Sequence, residues 1–277
     1  MKKRAVWLLP AAFLSLFSLS NMSCTTSKMQ QVWWKHFERE VMDEKYDYNN
    51  LMVKKGDLDR IMKSVYTIKW KKPLTNEYQD IGTGIAKKFD VYGKEEICLL
   101  TVAHNTANIE ARLEKECYIG ALGGIVKLEK LVFDPQDDIA LLKIPVVVET
   151  FPFRIGSSNE LNPGVYVDIF GALFDKIILK NGVIGLLGLT SPQYDFIKIK
   201  GAKGEKKDYI ILTLPINPGN SGAPVVVYRD GKPELVGIVE FYSHPASGFQ
   251  SIGGAISIEL AMDRIEKASK GKIKIMQ

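Results

Sequence analysis

Three polar residues stand where strand packing alone would not ask for one: His104 at the end of LLTVAHN, Asp138 at the head of DDIALL, and Ser221 inside INPGNSGAP. Together they can perform acyl transfer. A serine hydroxyl is a poor nucleophile at neutral pH until an imidazole takes its proton, and the imidazole needs a carboxylate to fix its tautomer and steady its cation. A histidine at a strand end, or an acid before a strand, is by itself an ordinary structural feature. The serine between glycines is the specific signal. Glycines there let backbone N–H groups converge on a developing oxyanion, where side chains would obstruct both the turn and the substrate.

The segments that must position these residues read as strands. From residue 64 the chain runs through VYTIKW, IGTGIAKKFDVY, EEICLLTVAH, ARLEKECYIG, GIVKLEKLVF and DIALLKIPVVV. After a turn region at Asn159 to Gly164 come VYVDIFGAL, KIILKNGVIGLLG, YDFIKIK, DYIILTLPI, APVVVYR, ELVGIVEFY and IGGAISI. Short β-rich runs at this spacing, with helices only at the ends, predict an all-β chain of two antiparallel barrels, about 64–148 and 160–257. His104 and Asp138 fall in the first set and Ser221 in the second. Asn181-Gly182 and Asp230-Gly231 are expected to make tight turns between strands. Ile258, Leu260, Ala261, Ile265 and Ala268 form the apolar stripe of a helix over 258–270. A short helix is expected near Asp57 to Lys63, and Val32, Trp33, His36, Phe37 and Val41 recur at helical spacing in a segment that reads either as a tethered helix or as a linker.

The 277 residues carry a net charge of +5, with 46% hydrophobic and 25% charged residues, the balance of an ordinary globular protein. Lys2-Lys3-Arg4, the apolar run from Ala5 to Leu19 and the small polar residues after it form a secretory signal peptide over 1–23. Without that leader 34 basic residues face 32 acidic ones, so no excess of positive charge points to nucleic acid. Residues 24–60 read as a tether, and 61–270 as the folded body. Cys24 stands where a lipoprotein carries its acylated cysteine, although Asn21-Met22-Ser23 matches that pattern only at the small residue; a lipid anchor here is the one route to a membrane. Cys98 and Cys117 read equally as a disulfide or as two buried thiols. With three histidines, at 36, 104 and 244, and no C-x-x-C, no metal site is expected. His36 and the Ala202 to Asp208 run have plain readings as solvated residues, and His244, which follows the ELVGIVEFY strand, reads either as a substrate contact or as an inert loop histidine.

The motifs around the three polar residues resemble those of chymotrypsin-fold serine peptidases, most closely the trypsin-like module of the Deg/HtrA type. The resemblance spans roughly residues 60 to 260 and rests on six motifs in order: Gly82-Thr83-Gly84, TVAHN, DDIALLKI, Gly182-Val183-Ile184-Gly185, PGNSGAP and Leu235-Val236-Gly237-Ile238-Val239. It implies a double six-stranded β-barrel with the active site between the barrels. His104 would be the general base, Asp138 its orienting acid and Ser221 the nucleophile. Asp137 competes with Asp138, which fits the pattern better by directly preceding Ile-Ala-Leu-Leu. The N–H groups of Gly219 and Ser221, with Asn220 in the same loop, would form the oxyanion hole. Protein or peptide substrates, no cofactor and a homo-oligomer are further implications. No length remains for the PDZ domains that usually trail such a module.

Two departures stand out. Ala223 replaces a usual glycine, a small change. Glu240-Phe241-Tyr242 occupies positions that in the family border the triad acid and the primary specificity pocket, where small or apolar residues are common. Glu240 either points outward or pairs with a lysine, or else it alters the site, and a carboxylate near Asp138 would raise the pKa of one of the two. An exported serine endopeptidase is therefore the leading expectation. A catalytically silent homologue that binds peptides or proteins through the same cleft is the alternative.

Overall fold

The computed structural model describes residues 55–72, 75–108, 113–114, 116–173, 176–187, 209–214, 216–242 and 253–276. The leader, Cys24, His36, His244 and the 202–208 run lie outside them.

Helix α1 (Lys55–Lys63) leads into a half-barrel sheet. Its strands are β1 (Val65–Lys71), β2 (Tyr78–Val91) and β3 (Lys94–Val102), then, after the small β4 (Ala107–Asn108) and β5 (Leu113–Glu114) pair, β6 (Cys117–Ala121), β7 (Gly124–Lys127), β8 (Glu129–Asp134) and β9 (Ile139–Lys143). The order is β7-β6-β1-β2-β3-β9-β8, and the sheet does not close on itself among the described residues. The second half does close, as a six-stranded antiparallel barrel. It comprises β10 (Tyr166–Leu173), β11 (Lys176–Leu187), β12 (Tyr209–Leu212), β13 (Pro224–Arg229), β14 (Lys232–Tyr242) and β15 (Gly253–Ser257).

Helix α2 (Ile258–Ala268) follows. Its N-terminus is capped by Ser257, whose hydroxyl accepts from the Leu260 N–H at 3.2 Å, and Ile258, Leu260, Ala261 and Ile265 are its buried residues. A strand that the sequence reading did not anticipate, β16 (Ile273–Ile275), then pairs antiparallel with Phe89–Val91 of β2.

The period-two alternation of β3 explains how one sheet serves two cores. Leu99 points into the half-barrel with Ile68, Ala86, Cys117, Ile119 and Leu142. Cys98, Leu100 and Val102 point the other way, into a core shared with Ile258 and Ile265 of α2 and Tyr209 of the closed barrel. Cys98 and Cys117 therefore lie in different cores, both buried and with no disulfide between them. Of the two readings of this pair, the structure takes the unbridged one.

The expected turn at Asn181-Gly182 is corrected. Both residues lie inside β11, paired with Asp168 and Val167. The glycine serves close packing, since a Cβ on it would stand 2.8 Å from Leu214 Cβ. Asp230-Gly231 does reverse the chain between β13 and β14, with φ of 51° and 68°.

Candidate active site

Strand β3 ends in a single 3-10 turn, Ala103–Asn105, which lifts His104 out of the sheet. Asp138 closes the turn before β9 with φ +54°, a left-handed conformation that aspartate tolerates better than most residues. From there it holds His104 twice. One carboxylate oxygen, Oδ1, accepts from the His104 backbone N–H at 2.8 Å, and the other, Oδ2, meets ring Nδ1 at 2.6 Å. A carboxylate can only accept here, so Nδ1 carries the proton and Nε2 presents its lone pair. The Asp138 carbonyl also accepts from the Ala103 N–H at 3.0 Å, which fixes the turn beneath the ring. Asp137 is engaged elsewhere, with Arg264 Nε of α2 at 2.5 Å.

The Ser221 loop is organised by Asn220, which is fully buried. Its N–H donates to the Asn217 carbonyl at 3.0 Å, and its Oδ1 accepts from the Asn217 N–H at 3.0 Å and from Lys180 Nζ at 2.8 Å. Its Nδ2 donates to the Ala172 carbonyl at 3.2 Å, in space left by Gly171, where a Cβ would meet Nδ2 at 2.3 Å. The Asn220 N–H is thus used within the loop, so the expected part for Asn220 in the oxyanion hole is revised to that of a brace. The N–H groups of Gly219 and Ser221 make no hydrogen bond among the described residues. Gly219 (φ +94°) and Gly222 (φ +83°) both sit in the left-handed region, and a Cβ on Gly222 would come 2.0 Å from the Thr83 carbonyl oxygen.

Two residues not anticipated as site residues join the halves. Thr83 of β2 donates its N–H to the Ser221 carbonyl at 2.8 Å and its hydroxyl to the Gly219 carbonyl at 2.6 Å, and the same hydroxyl accepts from the Ala172 N–H at 2.8 Å. Asn105, next to His104, donates from Nδ2 to the Ser221 carbonyl at 2.8 Å. The only sequence signal for either was its place inside a motif, Gly82-Thr83-Gly84 or TVAHN. The loop carrying Ser221 is thereby bound to the element carrying His104, while the Ser221 hydroxyl makes no hydrogen bond among the described residues.

Glu240 does not point outward, and among the described residues it pairs with no lysine. It is 4% exposed on β14, and its Oε2 lacks a hydrogen-bond partner. Burial pushes its carboxyl well above the usual range, the charge of Asp138 pushes it further, the hydrogen bond with Tyr209 works against the rise, and Asp137 adds to it. Phe241 and Tyr242 pair with Gly254 and Gly253 of β15, and their side chains lie outside the described residues.

No family model matches the chain. It is 29% identical over 194 residues to a Pseudomonas fluorescens protein named "Probable periplasmic serine endoprotease DegP-like", a match covering 68% of this chain and 34% of that protein. A protein of the same name from Pseudomonas putida is 30% identical over 209 residues, covering 71% and 37%. The chain thus spans about a third of the length of these curated relatives. Among solved structures, the HtrA-type protease AlgW with a decapeptide superposes with a TM-score of 0.59 at 20% identity, over 78% of this chain and 67% of that one. The same protease with a tripeptide gives 0.58 at 23% identity, over 79% and 62%. The fold is shared with these structures: mostly β, chymotrypsin-like, a closed barrel beside a half-barrel.

Proposed function

We propose that this chain carries a trypsin-like protease module of the Deg/HtrA type, as its similarity to the DegP-like relatives supports, and that it is an exported serine endopeptidase, cleaving peptide bonds in protein or peptide substrates through an acyl-enzyme intermediate. The observation that carries this reading is the double hold of Asp138 on His104, which leaves Nε2 as the acceptor, while the neighbouring Asn105 ties down the Ser221 carbonyl.

His104 Nε2 takes the Ser221 hydroxyl proton as Oγ bonds to the scissile carbonyl carbon. The carbonyl oxygen becomes an oxyanion, and the unpaired N–H groups of Gly219 and Ser221 are the donors for it. The intermediate then collapses. The C–N bond breaks, and the imidazolium returns its proton to the leaving amine. Water, deprotonated in turn by His104, attacks the ester and releases the carboxylic acid and free Ser221. Asp138 stabilises the imidazolium in both halves. Export is supported by the basic, apolar and small-polar succession over 1–23 and by the word periplasmic in the relatives' names.

A fluorophosphonate probe tests the reading. We expect stoichiometric labelling of the mature protein at Ser221, and casein cleavage that falls by several orders of magnitude in Ser221→Ala. Equal cleavage by both proteins would reject the peptidase, and absent labelling of the folded protein would favour a silent, peptide-binding homologue.

A further inference from the structure

Glu240 occupies a place that nothing in the mechanism uses. Val239, just before it, is bonded to both residues that follow Ser221: its carbonyl accepts from the Gly222 N–H at 2.7 Å, and its N–H donates to the Ala223 carbonyl at 2.8 Å. The β14–β15 register shifts between Val239 and Phe241, so Glu240 sits at the irregularity. Such irregularities re-aim a side chain, and they concentrate near active sites. Here the side chain is turned into the interior.

Among the described residues, the ionisable groups around it leave no compensation for a negative charge. The turn before β9 contributes Asp138 and Asp137, and β12 contributes the fully buried Tyr209 phenol. Strand β15 brings no ionisable residue. On α2, Arg264 is engaged with Asp137, Glu259 accepts from the Ser158 N–H and hydroxyl, and Asp263 pairs with Lys267. An ionised carboxylate with one unpartnered oxygen, beside a second carboxylate and without a cation, is the costly case; the proton removes the cost.

We propose that Glu240 is a positioning residue for the His104–Asp138 pair, a buried carboxylic acid near Asp138 whose ionisation as the pH rises sets two negative charges against each other and loosens the grip on the imidazole. The proposal rests on the peptidase reading. It adds to it an upper pH limit written into β14 rather than into His104 or Ser221.

Glu240→Gln keeps the shape and stays neutral at every pH, so two measurements separate the proton from the catalytic role. The first is equilibrium unfolding across pH, which needs no activity. A carboxyl that is protonated when folded and ionises near 4.5 when unfolded makes the native protein lose stability as pH rises above 4.5, up to the raised folded value. Relative to the Gln variant, the wild-type unfolding constant should therefore grow by about tenfold per pH unit across that window. A difference that stays flat with pH would overturn the protonated state.

The second measurement is the pH dependence of the rate of Ser221 labelling. Wild type should lose rate by about tenfold per pH unit beyond the Glu240 ionisation, and the Gln variant should lack that limb. Superimposable profiles would overturn the positioning role even if the stability difference appears. Absence of Ser221 labelling in both proteins would instead defeat the peptidase reading, and with it the positioning role, while the unfolding data still report the Glu240 proton.

Discussion

The Thr83 hydroxyl donates to the Gly219 carbonyl at 2.6 Å, binding a strand of the half-barrel to the loop that carries Ser221 in the closed barrel. The same oxygen accepts from the Ala172 N–H, so one hydroxyl satisfies a donor and an acceptor on separate elements. Thr83→Val keeps the shape and removes both bonds. Each buried group left unpaired costs about 1–3 kcal/mol. We expect a lowered unfolding midpoint and a labelling rate at Ser221 reduced by about 10²-fold, because the loop loses its fixed position. A variant with wild-type rate would show that Thr83 does not set the loop.

Asp138→Asn tests the grip on His104. A carboxamide has one acceptor oxygen where the carboxylate offers two, so it cannot serve both the His104 N–H and ring Nδ1–H. Satisfying the backbone turns the NH2 group toward Nδ1 and favours the wrong tautomer. The turnover number should fall by about 10⁴-fold with the fold retained. Steady-state cleavage and circular dichroism of the same sample check this; retention of a tenth of the activity would remove Asp138 from the catalytic role.

Two glycines with similar backbones separate conformational from steric cost. Gly93 has φ +81° and open space around a built Cβ, whereas Gly222 has φ +83° and the Thr83 carbonyl oxygen 2.0 Å away. Gly93→Ala should cost about 1–2 kcal/mol, the penalty of the left-handed region alone. Gly222→Ala should cost more than about 4 kcal/mol, because Thr83 also holds the Ser221 carbonyl and cannot yield freely. Urea unfolding of the two variants measures the difference, and equal losses would contradict the contact.

Burial pushes the Cys98 thiol up to about 12, the main cause being desolvation. The thiolate fraction at pH 8 is then about 10⁻⁴, so alkylation in the folded state should be very slow. Iodoacetamide followed by mass spectrometry should leave Cys98 and Cys117 unmodified in the native protein and modify both in denaturant without a reductant. A Cys98–Cys117 crosslinked peptide would refute the unbridged arrangement.

How much of this was legible beforehand follows from how far each feature depends on distant chain. The alternation of apolar residues places strands almost one by one, and the stripe from Ile258 to Ile265 places α2, because both report burial on a single face. Asn181-Gly182 misled for the opposite reason. A local turn signal was present, but the glycine answers to Leu214, and no local pattern records that approach. Strand β16, three residues long, is decided by the free edge of β2 rather than by its own composition.

The site divides the same way. Chain order and residue type by themselves determined that His104, Asp138 and Ser221 are the candidates, since each is conspicuous against an apolar or glycine-rich surround. The tertiary structure alone decided that Asn220 spends its N–H inside its loop, that Thr83 and Asn105 bind the two halves, and that Glu240 is enclosed beside Asp138. Each of these depends on an angle or a distance between residues far apart in the chain. Hydrogen bonding and desolvation act at about 3 Å, and only the folded backbone brings such groups within that reach.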